Sequence, residues 1–183
     1  MARVDLKGHR TTKFCLGRVV LAMQKKQKGF SLIELLIVVA IILIIAAIAI
    51  PNLLRSRIAA NEASAVGSMR TINTAEVTYS SSYPDCGFTA LTNLGGSGGT
   101  TNGAGLIDTV LAGGQKSGYS FAATASGGGT GCGSGTGTPN TTYSVVTSPQ
   151  SAQTGQRYFY SDQSGVIRYN ISGPAGATDA PLQ

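Results

Sequence analysis

The chain has 183 residues and a formal net charge of +6, and this charge is unevenly distributed. Residues 1–29 contain eight basic residues and one acid, whereas residues 30–183 contain six basic residues and seven acids. The concentration of basic residues before residue 30 therefore indicates a leader segment and argues against a nucleic-acid-binding surface. His9 is the only histidine and also lies in this leader, which excludes histidine-based nucleophile pairs and metal sites from the rest of the chain.

An apolar run of 21 residues, from Phe30 to Ile50, follows the basic region and holds one charge, Glu34. As a helix it would be about 31 Å long, the thickness of a bilayer's hydrocarbon core. Basic residues stay cytoplasmic, so the residues after the run are expected to face the periplasm or the exterior. A lone acid costs about 2.5–3.5 kcal/mol at mid-bilayer and less towards the interface. Glu34 therefore predicts a segment that does more than anchor the chain.

Two other interpretations of this region stay open. Ala47-Ile48-Ala49 is similar to the cleavage site of an ordinary secretory signal, and the run could also be an uncleaved anchor. Against an ordinary signal, Glu34 interrupts the apolar core and the run continues into a helical pattern.

That helical pattern extends beyond the apolar run. Apolar side chains recur at spacings typical of one helical face, at Leu54, Ile58, Ala65, Met69, Ile72, Tyr79 and Tyr83. Pro84 disfavours helix at Tyr83, so the predicted helix covers 30–83. Pro51 should kink or loosen it, because proline lacks the N–H of a helical hydrogen bond. The alternative is a boundary between two helices, with Asn52 capping the second.

After Pro84 the composition changes to Gly, Ser and Thr, with loops predicted over 95–105 and 127–137. Residues 106–112 predict a short helix that Gly113-Gly114 ends. Alternating apolar residues predict four strands, at 119–123, 142–147, 157–161 and 166–170. Asp162-Gln163-Ser164-Gly165 predicts a hairpin turn between the last two strands. We expect an antiparallel sheet with one face against the helix stripe over 58–83, which is an α+β fold.

The head offers few residues for chemistry. Cys86 and Cys132 are the two cysteines after Gly29, and in an exported region they predict one disulfide. The acids of the head are isolated in sequence and form no calcium-binding motif; they are Asp85, Asp108, Asp162 and Asp179. Neither glycine-rich loop has the pattern of a nucleotide site. We predict no cofactor, no metal and no enzymatic activity.

The junction between leader and apolar run carries a specific resemblance. Residues 29–42, GFSLIELLIVVAII, and residues 46–52, AAIAIPN, resemble the class III leader junction of the type IV pilin family. The resemblance implies that a prepilin peptidase cleaves after Gly29 and N-methylates Phe30. It also implies that Glu34 pairs with the new amine of a neighbouring subunit, and that residues 30–50 become the filament core. The helix near Pro51 often loosens in such filaments.

The predicted organisation has four parts. Residues 1–29 form a cleaved leader, 30–51 a transmembrane and filament-core helix, 52–83 an amphipathic helix, and 84–183 a β-sheet head. The leader is long for this family, and Met23 begins a complete leader of its own. We therefore predict that translation starts at Met23.

The resemblance implies a structural subunit of a type IV pilus, serving adhesion, twitching motility or DNA uptake. Its expected partners are copies of itself, the prepilin peptidase, the inner-membrane assembly platform and, before assembly, the lipid bilayer. The expected location is the inner membrane, with the head periplasmic, and then the surface pilus. The alternative is a pseudopilin of type II secretion, which the lack of tryptophan and of an acid cluster disfavours. An electron-carrying filament is disfavoured because no aromatic residue lies between Phe30 and Tyr79.

Overall fold

The computed structural model describes residues 29–128, 132 and 138–182. Most of the predicted leader, with the Met23 start, and part of the second glycine-rich loop lie outside these residues. The chain divides into two compact units, Met1–Ile42 and Leu43–Gln183, each with its own internal contacts.

A long helix, α1, covers Leu32–Ser82 and includes Pro51. The prediction of a helix over 30–83 is confirmed to within two residues at its start and one at its end. The alternative of a boundary at Pro51, with Asn52 as a cap, is wrong. The local kink or loosening at Pro51 stays a prediction. Its physical basis is that Pro51 has no N–H to donate to the Ala47 carbonyl, four residues earlier.

One face of α1 is buried under the head, and the predicted apolar stripe describes it well from Ala65 onward. The buried residues of the helix are Ala65, Ser68, Met69, Ile72, Ala75, Glu76 and Tyr79. The predicted contact stripe over 58–83 starts too early, since Ile58 is only half-buried and the first buried residue of the helix is Ala65. The first hydrogen bond between this helix face and the head occurs beyond Ile58, where Asn61 Nδ2 donates to the Thr154 carbonyl at 2.9 Å.

The head is built on a five-stranded sheet in which every strand pairs with its neighbour in sequence. All four pairings are antiparallel. The strands are β1 (Gln115–Lys116), β2 (Tyr119–Ser126), β3 (Thr142–Pro149), β4 (Tyr158–Asp162) and β5 (Arg168–Asn170). Four of them were predicted, and β1 was not. The predicted turn is also confirmed, because the Gly165 N–H donates to the Asp162 carbonyl at 2.8 Å and Gly165 has a φ of 72°.

Two short helices lie between α1 and the sheet in sequence, α2 (Leu91–Leu94) and α3 (Thr109–Ala112). The sequence did not predict α2. The predicted helix over 106–112 starts three residues too early, because the N–H groups of Leu106 and Ile107 donate to the Leu94 carbonyl instead. Asp108 then caps α3 by accepting the Leu111 N–H at 2.8 Å.

The core lies between the second half of α1 and the inner face of the sheet. Alternate residues of β2, β3 and β4 point inward and are buried with the helix stripe, as the period of a strand requires (Tyr119, Phe121, Tyr143, Val145 and Phe159). The α+β prediction, a long helix packed on an antiparallel sheet, is therefore confirmed.

Candidate functional site

The leader junction lies just before the first turn of α1. Gly29 and Phe30 are outside the helix, and the Phe30 side chain is 74% exposed. A Cβ placed on Gly29 would meet no atom within 4 Å. The described fold therefore gives no steric reason for glycine at this position.

Glu34 is tied to the beginning of its own helix. The Ser31 N–H donates to Glu34 Oε2 at 2.9 Å, across three residues. In a capping box, a Glu at the third helical position accepts the N–H of the residue just before the helix, and Glu34 makes this bond with Ser31. The bond satisfies an N–H for which the helix has no carbonyl partner. A carboxylate at a helix N-terminus also complements the helix dipole. Glu34 thus has a structural role within a single subunit.

The apolar segment after Glu34 is exposed. Its large side chains have no cover in the single chain (Leu35, Leu36, Ile37, Val38, Val39, Ile41, Ile42, Leu43, Ile44, Ile45, Ile48 and Ile50). By length and composition, α1 is able to cross a membrane, and its most apolar window has none of its residues buried. An apolar surface of this extent requires lipid or other protein surfaces to cover it.

Comparison with known proteins bears on this same segment. A family model described as the prokaryotic N-terminal methylation motif matches residues 24–50. The chain is also similar to a type IV wide pilus major component, PilA4, of Thermus thermophilus, with 63% identity over 38 residues.

Over its N-terminal segment the chain therefore matches the methylation motif and is similar to a type IV pilin. The alignment covers 21% of this chain and spans only 29% of the length of its Thermus relative. No solved structure matches the chain.

The head of the chain contains the predicted disulfide. Cys86 and Cys132 are bonded with a Cα–Cα distance of 4.5 Å, across a sequence separation of 46 residues. The Tyr79 hydroxyl lies 3.4 Å from Cys132 Sγ and donates to the Thr101 carbonyl at 2.7 Å. The bridge therefore joins the end of α1 to a glycine-rich loop far along the chain.

The isolated acids of the head stabilise local structure. Asp108 pairs with Lys116 at 2.8 Å, and this contact, with the Leu111 N–H, lowers the pKa of Asp108. Asp162 accepts the Ser164 N–H in the hairpin turn, and Asp179 accepts the Gly176 N–H. No group of three or more potential metal ligands occurs among residues 29–128, 132 and 138–182.

Sequence reasoning missed one ionisable residue of the core, Glu76. Its side chain is fully buried on the inner face of α1, where Oε2 accepts the Thr89 N–H at 3.1 Å. Its position four residues after Ile72 and three before Tyr79 is the signal that could have found it, since these spacings place all three side chains on one helical face.

Proposed function

We propose that this chain is a type IV pilin, a structural subunit of a type IV pilus, and that it polymerises through its N-terminal helix. The observation that carries the proposal is the exposed apolar segment with a single carboxylate, Glu34, near its start. Such a segment suits two environments in turn, the bilayer and then a bundle of identical helices. The similarity to a pilus component of Thermus thermophilus supports the same conclusion.

Processing would occur at the exposed junction. A prepilin peptidase would cleave between Gly29 and Phe30, and Phe30 would then be N-methylated. The non-helical backbone and the open space around Gly29 support this assignment, because they leave the peptide bond free to enter a protease. The described fold does not need the glycine, so a need for close backbone approach by the enzyme accounts for it.

Assembly would pair Glu34 with the Phe30 amine of a neighbouring subunit. An ammonium and a carboxylate compensate each other when both enter an apolar bundle, whereas either alone is costly there. Before assembly the Ser31 N–H partly satisfies Glu34, which makes its stay in the bilayer less costly. Pro51 would let the helix loosen as the subunits pack together.

Substitutions at Glu34 test this assembly role. We expect Glu34→Gln and Glu34→Ala to accumulate normally in the membrane and to give little or no filament. Glu34→Asp keeps the charge and is expected to retain part of the filament yield. The measurement is the amount of sheared surface filament relative to total subunit.

The glutamine variant separates two roles of Glu34. Gln can still accept the Ser31 N–H but has no charge, so loss of filaments in both Gln and Ala variants assigns the ion pair. Filament loss in Glu34→Ala alone would assign the helix cap instead. Wild-type yield from both variants would refute the role of Glu34 in assembly.

The partners and location follow from this scheme. The subunit would wait in the inner membrane with its head in the periplasm, pass to the assembly platform, and end in a surface filament with copies of itself. Adhesion, twitching motility or DNA uptake would be the activity of that filament. Deletion of the gene should remove surface filaments, whereas loss of enzyme secretion with filaments intact would assign the chain to type II secretion as a pseudopilin.

A further inference from the structure

The buried carboxyl group of Glu76 is not used by the assembly scheme. Its side chain has a relative exposure of 0% and lies on the inner face of α1. Oε2 accepts one hydrogen bond, from the Thr89 N–H at 3.1 Å, and Oε1 is buried with no hydrogen-bond partner in the described part of the chain. A buried polar atom without a partner is costly, and a buried charge much more so.

The groups around Glu76 do not compensate a negative charge. Among the described residues, the titratable side chains that interact electrostatically with it are two tyrosines, Tyr79 on α1 and Tyr143 on β3. Asp162 on β4 is a further negative charge near Tyr143. The salt bridges of the described residues are Lys116–Asp108 and Arg157–Glu62, so no cation pairs with Glu76. Burial raises the pKa of Glu76 from 4.5 to about 7, against the smaller opposing effect of the Thr89 N–H.

Glu62 on the same helix shows the contrasting arrangement. Its Oε1 accepts the N–H groups of Gln156 and Arg157 at 3.0 and 3.3 Å, and its Oε2 lies 3.5 Å from Arg157 Nε. Both carboxyl groups thus hold a head segment to α1 through backbone N–H groups. Of the two, only Glu62 has a cation and a second donor, so the negative charge of Glu76 is the one left without compensation.

The segment that Glu76 holds is short and lies between two other attachments. Cys86 fixes it on one side through the disulfide to Cys132, and α2 begins at Leu91 on the other. Phe88 is held to the sheet side, since its N–H donates to the Asn140 carbonyl at 3.1 Å. The bond from the Thr89 N–H to Glu76, with the side-chain hydrogen bond between Thr89 and Tyr79, ties this stretch to the inner face of α1.

We propose that Glu76 is a proton-dependent latch between α1 and the segment around Thr89. The neutral carboxyl group costs less in this core than the charged one and keeps the segment closed. Ionisation puts an uncompensated charge in the core, and opening of the segment relieves it by admitting water. Because the folded state holds this proton more tightly than the open state, the stabilisation is fully present below about pH 4.5 and is lost as the pH rises to about 7.

Hydrogen exchange in the full chain, in detergent micelles, tests the latch. After correction for the intrinsic exchange rate, opening at the Thr89 amide should be about 70-fold more frequent at pH 8 than at pH 5, as expected for a proton held with a pKa of about 7 when closed and 4.5 when open. Glu76→Gln, which is close in shape and has no charge, should abolish this pH dependence.

Glu62→Gln is the matched control, because it also removes a carboxylate that accepts backbone N–H groups on α1. The pH dependence at Thr89 should persist in this variant. The melting temperature of the head gives a second measurement, since all seven tyrosines lie between Tyr79 and Tyr169 and report on the head alone in near-ultraviolet circular dichroism. It should fall from pH 5 to pH 8 in the wild type and in Glu62→Gln, but not in Glu76→Gln. A flat wild-type profile, or a pH step that survives in Glu76→Gln, would overturn the proposal.

Discussion

Tyr119 shows how one side chain fixes a loop that is distant in sequence. Its ring is buried in the core, and its hydroxyl donates to the Arg157 carbonyl at 3.0 Å. Burial raises the pKa of Tyr119 to about 12, so it remains a neutral donor at physiological pH. Gly155 lies directly against this ring, and a Cβ at position 155 would overlap the hydroxyl oxygen. The close approach of ring and backbone is what requires glycine there.

Alanine substitutions at two glycines should therefore have opposite effects. Gly155→Ala should lower the free energy of unfolding by about 1–3 kcal/mol, because the extra methyl group displaces the buried Tyr119 ring. Gly67→Ala should raise it by about 0.5–1 kcal/mol, since its Cβ would meet nothing within 4 Å and glycine is a poor helix former. Urea unfolding followed by tyrosine circular dichroism measures both. Equal stability of the two variants would contradict the packing argument.

At the scale of elements, α1 is a single helix whose two halves meet different surroundings. The half before Pro51 is exposed and apolar, and the half after it is buried along one face from Ala65 to Tyr79. Lipid or other protein surfaces must cover the first half, whereas the sheet stabilises the second. Pro51 lies between these halves, where the missing N–H does not disturb the core of the head.

Replacement of Pro51 by alanine should stiffen α1. The new N–H can donate to the Ala47 carbonyl, and the steric conflict of the proline ring with the preceding turn disappears, a change of about 3 kcal/mol in a helix interior. We expect slower amide hydrogen exchange at residues 52–55 in micelles, measured by mass spectrometry, and lower filament yield if the helix must loosen during assembly. Unchanged exchange at these amides would show that the proline does not weaken the helix.

The elements predicted from sequence are those held by local contacts. The hairpin from β4 to β5 and the end of α1 at Ser82 follow from Gly165 and Pro84, each acting on its own neighbours. The missed elements, β1 and α2, have two and four residues, and their formation depends on partners elsewhere in the head. The N-terminal site could be predicted because a glycine and a proline flank one apolar run that contains a single acid. Glu76 was missed, since only the folded head buries it.

At the scale of the whole molecule, one core and one disulfide hold the glycine-rich segments of the head to α1. The core cluster contains residues of α1, of both short helices and of three strands, so neither helix nor sheet has a core of its own. The Cys86–Cys132 bridge closes a large loop that includes β2 and both short helices. A small core of this kind depends on such a covalent restraint.

Loss of the bridge should therefore destabilise the head. The double variant Cys86→Ser, Cys132→Ser should lose about 4 kcal/mol of unfolding free energy, the chain-entropy value for a loop of 46 residues. Urea unfolding of the full chain in micelles measures the loss. Wild-type protein under reducing conditions should show the same loss, and the double variant should not respond to reductant. Equal midpoints for oxidised and reduced wild type would disprove the contribution of the disulfide.

The sequence by itself determined the apolar run, its lone acid, the length of α1 and most of the strands, and it predicts the junction at Gly29 and Phe30. These features depend on hydropathy, on spacing and on proline or glycine acting on adjacent residues. Each of these effects can be recognised in the linear sequence. The tertiary structure decided which side chains lose contact with water and which partners they then meet. It placed Tyr119 against Gly155, tied Leu106 and Ile107 to α2, and buried Glu76 with a single donor. Burial depends on contacts between distant segments, and for this reason the ionisation of Glu76 became visible only in the folded chain.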